Sequence, residues 1–123
     1  MAKTVLIADD AAFMRMLLRE LLSGDGYIVC EAVNGRDAFE KFAEIRPDIV
    51  TMDVAMPEMD GLTAIRAIVE HDPKARVVVV SAQSRPEIRA EALAAGALDF
   101  ILKPFPPERL LQSIRGALVG SPR

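Results

Sequence analysis

Five short apolar runs punctuate the chain, and none of them shows a strict alternation with polar positions. They are Val5-Leu6-Ile7-Ala8, Tyr27 to Ala32, Asp48 to Met52, Val77 to Val80 and Leu98 to Leu102. A strand with one wet face alternates, whereas a continuous run rich in β-branched residues needs cover on both faces. That requirement selects a parallel sheet between two helical layers and argues against sandwiches and meanders.

The intervening segments carry helical spacing. Apolar stripes are expected from Phe13, Leu17 and Leu21, from Ala38, Phe39 and Phe42, from Leu62, Ile65, Ile68 and Val69, from Ile88 and Ala92, and from Leu110, Leu111, Ile114 and Leu118. Gly24, Gly26 and Gly96 stand where helices would close, and Pro47 and Pro73 precede the third and fourth runs. Five βα units follow. Right-handed crossovers leave few topologies for them, and the common solution is a single doubly wound (βα)5, flavodoxin-like α/β domain with strand order 2-1-3-4-5. One such domain fills residues 1–123, with Gly120-Ser121-Pro122-Arg123 expected as a loose tail.

That strand order says where a site can form. Ligands of open α/β sheets bind outside the carboxyl ends of the strands where the winding reverses, here between strands 1 and 3. The residues at those ends are Asp9-Asp10 and Asp53, and strands 4 and 5 add Ser81 and Lys103 at the same edge. Three gathered carboxylates resist full ionisation unless a cation sits among them. All-oxygen donors suit a hard ion such as Mg²⁺. With Mg²⁺ and the Lys103 ammonium the charges of the cleft sum to zero, so a phosphoryl group can enter it. Asp53 is the best nucleophile candidate, with Asp9 and Asp10 holding the metal. Taken singly, each residue has a plainer account: Asp9-Asp10 as a helix cap, Asp53 as a turn cap, Ser81 as a cap and Lys103 as a solvated charge. Their coincidence at one edge is what favours a site. Outside it, the lone His71 is expected at the end of the third helix, and Cys30 and Met14, Met16, Met52, Met56 and Met59 in packing.

Charge and composition exclude several other roles. Fifteen Lys and Arg against eighteen Asp and Glu give a net charge of -3, without the basic footprint of a nucleic-acid binder. The longest stretch free of charge, Val77 to Ser84, is too short to cross a bilayer. A single cysteine forms no internal disulfide, as suits a reducing compartment, and the expected location is cytoplasmic. The loop after strand 1, Asp9-Asp10-Ala11-Ala12, lacks the glycines of a dinucleotide fingerprint.

VLIADDAAFMR (Val5 to Arg15), PDIVTMDVAMPEMDG (Pro47 to Gly61), VVVVSA (Val77 to Ala82) and DFILKPF (Asp99 to Phe105) together resemble a response-regulator receiver domain, most of all the stand-alone chemotaxis members. The resemblance spans nearly the whole chain. It implies that Asp53 accepts a phosphoryl group from a histidine kinase, and that Asp9, Asp10, Asp53 and the backbone carbonyl of Ala55 bind Mg²⁺. It implies that Ser81 and Lys103 contact the phosphoryl oxygens and that the Lys103-Pro104 peptide is cis. Phe100 falls at the family's switch aromatic, where many chemotaxis members carry Tyr, so a hydroxyl is missing here. Ala55 and Gln83 occupy positions that tune hydrolysis of the acyl phosphate, and Ala55 offers no polar group to orient water. Besides the kinase, the implied partners are a downstream protein target such as a flagellar motor switch, and a phosphatase.

Phosphorylation adds charge at one point and acts by biasing an element with two arrangements. The expected sequence is that Ser81 moves to the phosphoryl group, Phe100 turns from an exposed to a buried position, and the face of helix 4, strand 5 and helix 5 changes. Two other roles fit the same residues. One is a phosphorelay intermediate. The other is a small Mg²⁺-dependent aspartyl-phosphate hydrolase of the haloacid-dehalogenase kind, disfavoured because Ala55 stands where such enzymes carry a second Asp.

Overall fold

The computed structural model describes residues 2–119. Its elements run β1 (Thr4–Ala8), α1 (Ala12–Gly24), β2 (Ile28–Ala32), α2 (Gly35–Ile45), β3 (Ile49–Met52), α3 (Gly61–His71), β4 (Val77–Ser81), α4 (Pro86–Ala95), β5 (Asp99–Leu102) and α5 (Pro107–Val119). The strands form one parallel sheet in the order β2-β1-β3-β4-β5, the doubly wound order expected from right-handed crossovers. Tyr27, Asp48 and Leu98 fall just before their strands. The tail expected at 120–123 lies outside the described residues.

Both faces of the three inner strands, β1, β3 and β4, are dry, which is why they read as unbroken runs. The edge strands β2 and β5 are only partly covered, contrary to the expectation of cover on both faces for every run. Leu6, Ala8, Val50, Met52, Val77, Val79 and Phe100 pack with Ala38, Phe42, Leu62, Ile65, Ile68 and Ala92 of α2, α3 and α4. On the other side Val5, Ile7, Ile49, Val78, Val80 and Ile101 meet Leu18 and Leu22 of α1 and Leu110 and Ile114 of α5. The helix ends follow local chemistry. Asn34 and Asp60 cap α2 and α3 by accepting from the N–H of Asp37 and Thr63, at 2.7 and 2.9 Å. Gly96 ends α4 at φ 122°, a backbone angle that glycine adopts freely.

The first helix departs from the expected stripe. Phe13 is 71% exposed and Met16 52%, while the buried line is Leu18 and Leu22 with Met14 and Leu21 packed beside it. Met14, Met52, Met56 and Met59 do pack, so the reading of the methionines fails only at Met16. The reason is that Phe13, Met14, Met16, Leu17 and Leu18 make the start of α1 apolar nearly all round. Spacing then cannot choose which side faces the sheet. Cys30 is half-buried in β2 rather than enclosed. His71 is exposed at the end of α3, with its ring edge-on to Phe39 and Phe42 at 5.7 and 6.4 Å.

Candidate functional site

The carboxyl ends of β1 and β3 are held together before any side chain is considered. Asp53 N–H donates to Ala8 O at 3.0 Å, continuing the β1–β3 ladder one residue past β3 and fixing Asp53 beside Asp9. Two glycines let the surrounding loops close over this end. Gly35 N–H donates to Met59 O at 2.9 Å, and Gly61 N–H donates to Val54 O at 2.8 Å. A Cβ on Gly61 would lie 1.9 Å from Asp53 O, and one on Gly35 would lie 2.0 Å from Met59 O. Only hydrogen fits at either position.

Asp9, Asp10 and Asp53 each offer a carboxylate oxygen within 4.8 Å of the others. Asp9 is 1% exposed and Asp53 8%, while Asp10 opens to solvent. Lys103 reaches in from the end of β5, its Nζ donating to Asp9 Oδ2 at 2.7 Å and to Asp53 Oδ2 at 3.4 Å. Asp9 Oδ1 also accepts from Ala11 N–H at 2.9 Å, which closes a local turn ahead of α1. The N-cap of that helix is Ala11 and no side chain caps it, so the plain capping account of Asp9-Asp10 does not hold. Burial pushes the Asp53 carboxyl above the usual range, and the charge of Asp9 adds to that, against the opposing pull of the Lys103 ammonium. One ammonium among three carboxylates leaves the cleft formally two charges negative. An oxygen-only donor set with excess negative charge and one solvent-facing member fits a hard divalent cation, so this is an acidic cluster able to hold a metal.

Ser81 is fully buried at the end of β4, where its backbone carbonyl accepts from Lys103 N–H at 2.8 Å. Its Oγ accepts from Gln83 N–H at 3.1 Å. Ala55 lies exposed in the loop after β3, and Gln83 is half-buried after β4. The Lys103-Pro104 peptide is cis. Phe100 is 5% exposed, with the Arg89 guanidinium 5.9 Å from its ring centroid. The ring therefore stands in the inward one of the two arrangements considered from the sequence. It is not in the exposed position taken there as the starting point.

Two sets of residues escaped the sequence reading. Arg15 of α1 donates to the backbone carbonyl of Asp9 at 2.7 Å, a contact signalled only by a cation set between the apolar residues Phe13, Met14, Met16 and Leu17. Asp99, Arg109 and Ser113 form a second network on the outer side of β5. Arg109 donates to both Asp99 oxygens at 2.9 and 3.2 Å, and Ser113 Oγ donates to Oδ2 at 2.6 Å. Burial pushes the Asp99 carboxyl up, but bonds from Arg109, Ser113 and the Phe100 N–H outweigh it and hold it below the usual range. A groove of about 450 Å³ opens beside this network, away from the three acids.

An acidic cleft with one lysine, set at the switch point of a doubly wound parallel sheet, defines a class: α/β domains with a cluster at the carboxyl edge of the sheet that could hold a metal ion. The sequence narrows the class to one family. The profile of the response regulator receiver domain matches residues 5–115, and the chain belongs to that family. It is 52% identical over 115 residues to the chemotaxis protein CheY of Thermotoga maritima, covering 93% of this chain and 96% of that one. It is 48% identical over 119 residues to CheY of Bacillus subtilis, covering 96% and 99%. Among solved structures it is similar to Borrelia burgdorferi CheY in a complex with CheX, BeF3 and Mg²⁺. There the TM-score is 0.92 at 35% identity, covering 96% of this chain and 90% of that one. The protein is thus a CheY-like receiver, a signalling module. None of the described helices is long and apolar enough to cross a membrane.

Proposed function

We propose that this receiver accepts a phosphoryl group on Asp53 from a histidine kinase, in a Mg²⁺-dependent step, and passes the signal on through a protein-binding face in chemotaxis. The single observation that carries the reading is the Asp9–Asp10–Asp53 cluster with Lys103 Nζ bonded to two of its members. Similarity to proteins named for chemotaxis at about half identity supports the output, and the BeF3 and Mg²⁺ of the Borrelia complex support the ion.

Asp9, Asp10, Asp53 and the Ala55 carbonyl would hold the Mg²⁺, which supplies positive charge against the phosphoryl oxygens. One Asp53 oxygen forms a bond to phosphorus as the P–N bond of the phosphohistidine breaks. The imidazole nitrogen keeps that electron pair and takes up a proton. Burial raises the proton affinity of the Asp53 carboxyl, and Lys103 counters this by favouring the ionised, nucleophilic form. Lys103, whose Nζ already bridges Asp9 and Asp53, can turn to a phosphoryl oxygen without crossing the cleft. The Ser81 hydroxyl would donate to another. The module thereby promotes its own phosphorylation and, with water, its own hydrolysis, with Ala55 and Gln83 setting how water approaches. A separate phosphatase partner fits the same chemistry, and the cytoplasm is the compartment this reading implies.

The Ser81 to Phe100 segment is the switch. Movement of Ser81 disturbs its bond to Gln83, and the packing of Phe100 under Arg89 then decides the position of α4 against β5. Only Ala92 of α4 is fully buried, so this helix is the most loosely anchored of the layer. Leu93 and Leu102 are 42% and 46% exposed on α4 and β5 and offer apolar contact to a downstream target such as a flagellar motor switch. The test is intact mass after treatment with acetyl phosphate and Mg²⁺. The native chain should gain one phosphoryl group and Asp53→Asn none; an adduct on both forms overturns the assignment. Turnover of simple phosphate esters would instead support a hydrolase.

A further inference from the structure

The backbone carbonyl of Asp9 lies where β1 runs out of neighbours. Asp9 N–H donates to Ala32 O at 3.1 Å, a rung shared with the end of β2. The chain after β2 then turns away, because Asn34, the residue that would donate next in the ladder, is the N-cap of α2. A strand that continued would have offered the next donor to the Asp9 oxygen, and a backbone carbonyl beside a buried cleft needs one.

Arg15 supplies it. Its Nη1 donates to Asp9 O at 2.7 Å while its Nε donates to Glu31 Oε1 at 3.0 Å. Glu31 stands in β2 opposite Ile7, its other oxygen accepts from Arg19 Nε at 2.6 Å, and its backbone carbonyl accepts from Lys41 Nζ at 2.6 Å. The guanidinium side chain is only 16% exposed. The fork is therefore fixed on both sides, by the helix it grows from and by a carboxylate that is itself held.

This carbonyl belongs to the peptide unit joining Asp9 to Asp10, so its direction sets how Asp10 leaves the backbone. The geometry points to Arg15 as a positioning residue for cation binding: oriented by Glu31, it holds the Asp9–Asp10 peptide so that both acids face Asp53. The inference rests on the Mg²⁺ site proposed above. The role is one of orientation, since the bond goes to the backbone rather than to a reacting group. Partners that orient a metal's ligands govern affinity in this way, and their removal typically weakens it about 10- to 100-fold.

The test uses the full chain as wild type, Arg15→Met, Arg15→Lys and Glu31→Gln. Mg²⁺ is titrated calorimetrically, and the ¹³C carbonyl resonance of Asp9 and the amide of Asp10 are recorded by NMR in metal-free protein. Arg15→Met is expected to raise the Kd for Mg²⁺ at least about tenfold and to move the Asp9 carbonyl resonance before any metal is added. Glu31→Gln should shift both readouts in the same direction by less. Arg15→Lys, with a single donor group in place of the fork, should fall short of wild type. Thermal unfolding checks that each variant is folded, and where Arg15→Met is not, Glu31→Gln decides. An unchanged Kd in the deciding variant overturns the role of Arg15 and leaves the receiver reading standing. A wild type that does not bind Mg²⁺ overturns both.

Discussion

Replacing Gly61 by alanine adds one carbon atom, and its consequences can be worked from the loop that closes over the phosphoacceptor. The new Cβ would lie 1.9 Å from the carbonyl oxygen of Asp53 and 2.8 Å from Cα of Val54, both backbone. Contacts of that kind do not close below 3.0 Å, so roughly 1.1 Å of movement has to be found between α3 and the end of β3. No flexible side chain can absorb it. Asp53 N–H is bonded to Ala8 O and Gly61 N–H to Val54 O, so displacement of the carbonyl drags Asp53 relative to Asp9 and Lys103. Overpacking of this size costs about 1–3 kcal/mol of stability. A misplacement of about 1 Å costs about 100-fold in rate for a positioned nucleophile. The assay is the rate of phosphoryl uptake from acetyl phosphate, read by intact mass, with urea unfolding alongside. Gly116→Ala is the control, because nothing lies within 4 Å of a Cβ there, in the interior of α5. It should leave the rate unchanged and add about 0.5–1 kcal/mol of stability. A Gly61→Ala protein that phosphorylates at the native rate with native stability would refute the reasoning.

Other outcomes follow from the same geometry. The folded-state pKa of Asp53 is raised, first by burial, so its stabilising contribution is full below the unfolded carboxylate range and is lost as pH rises through the folded value. Asp53→Asn should therefore be more stable than wild type at pH 7 without metal. That advantage should disappear in acid, as read by urea unfolding across pH. Lys103→Met strips Asp9 of its ammonium partner, and breaking a buried pair of this kind costs about 3–5 kcal/mol. Added Mg²⁺ should raise the Tm of that variant more than that of wild type, and an equal rise would count against a shared cleft. On α1, Phe13→Ser should change stability by less than about 0.5 kcal/mol, whereas Leu18→Ala should cost about 2–5 kcal/mol. Chemical denaturation of the two separates a solvent-facing Phe13 from a packed one.

The sheet was legible because its physics is local. A run such as Val77 to Val80 tolerates no wet face, so the covered strands followed from the chain itself, as did the polar residues at their carboxyl ends. Their order came from the few topologies that right-handed crossovers leave. The rotation of α1 was not legible, since Phe13 and Leu18 are equally apolar and only packing against the sheet distinguishes them. Arg15 and Glu31 are sixteen residues apart and meet only once β2 is laid beside β1. The need for Gly35 and Gly61 arises from loops closing on one another, which no periodicity encodes. Whether the Phe100 ring stands inward or outward depends on Arg89 and the loop after β4, a balance between two packings of one sequence.

Covalent trapping tests the centre of the account most directly. The protein is treated with acetyl phosphate and Mg²⁺, reduced with borohydride, digested and sequenced by mass spectrometry. An acyl phosphate on Asp53 predicts homoserine at position 53 and unmodified aspartate at positions 9 and 10. Homoserine at either of those positions, or a phosphoryl adduct that leaves all three acids unreduced, would contradict it.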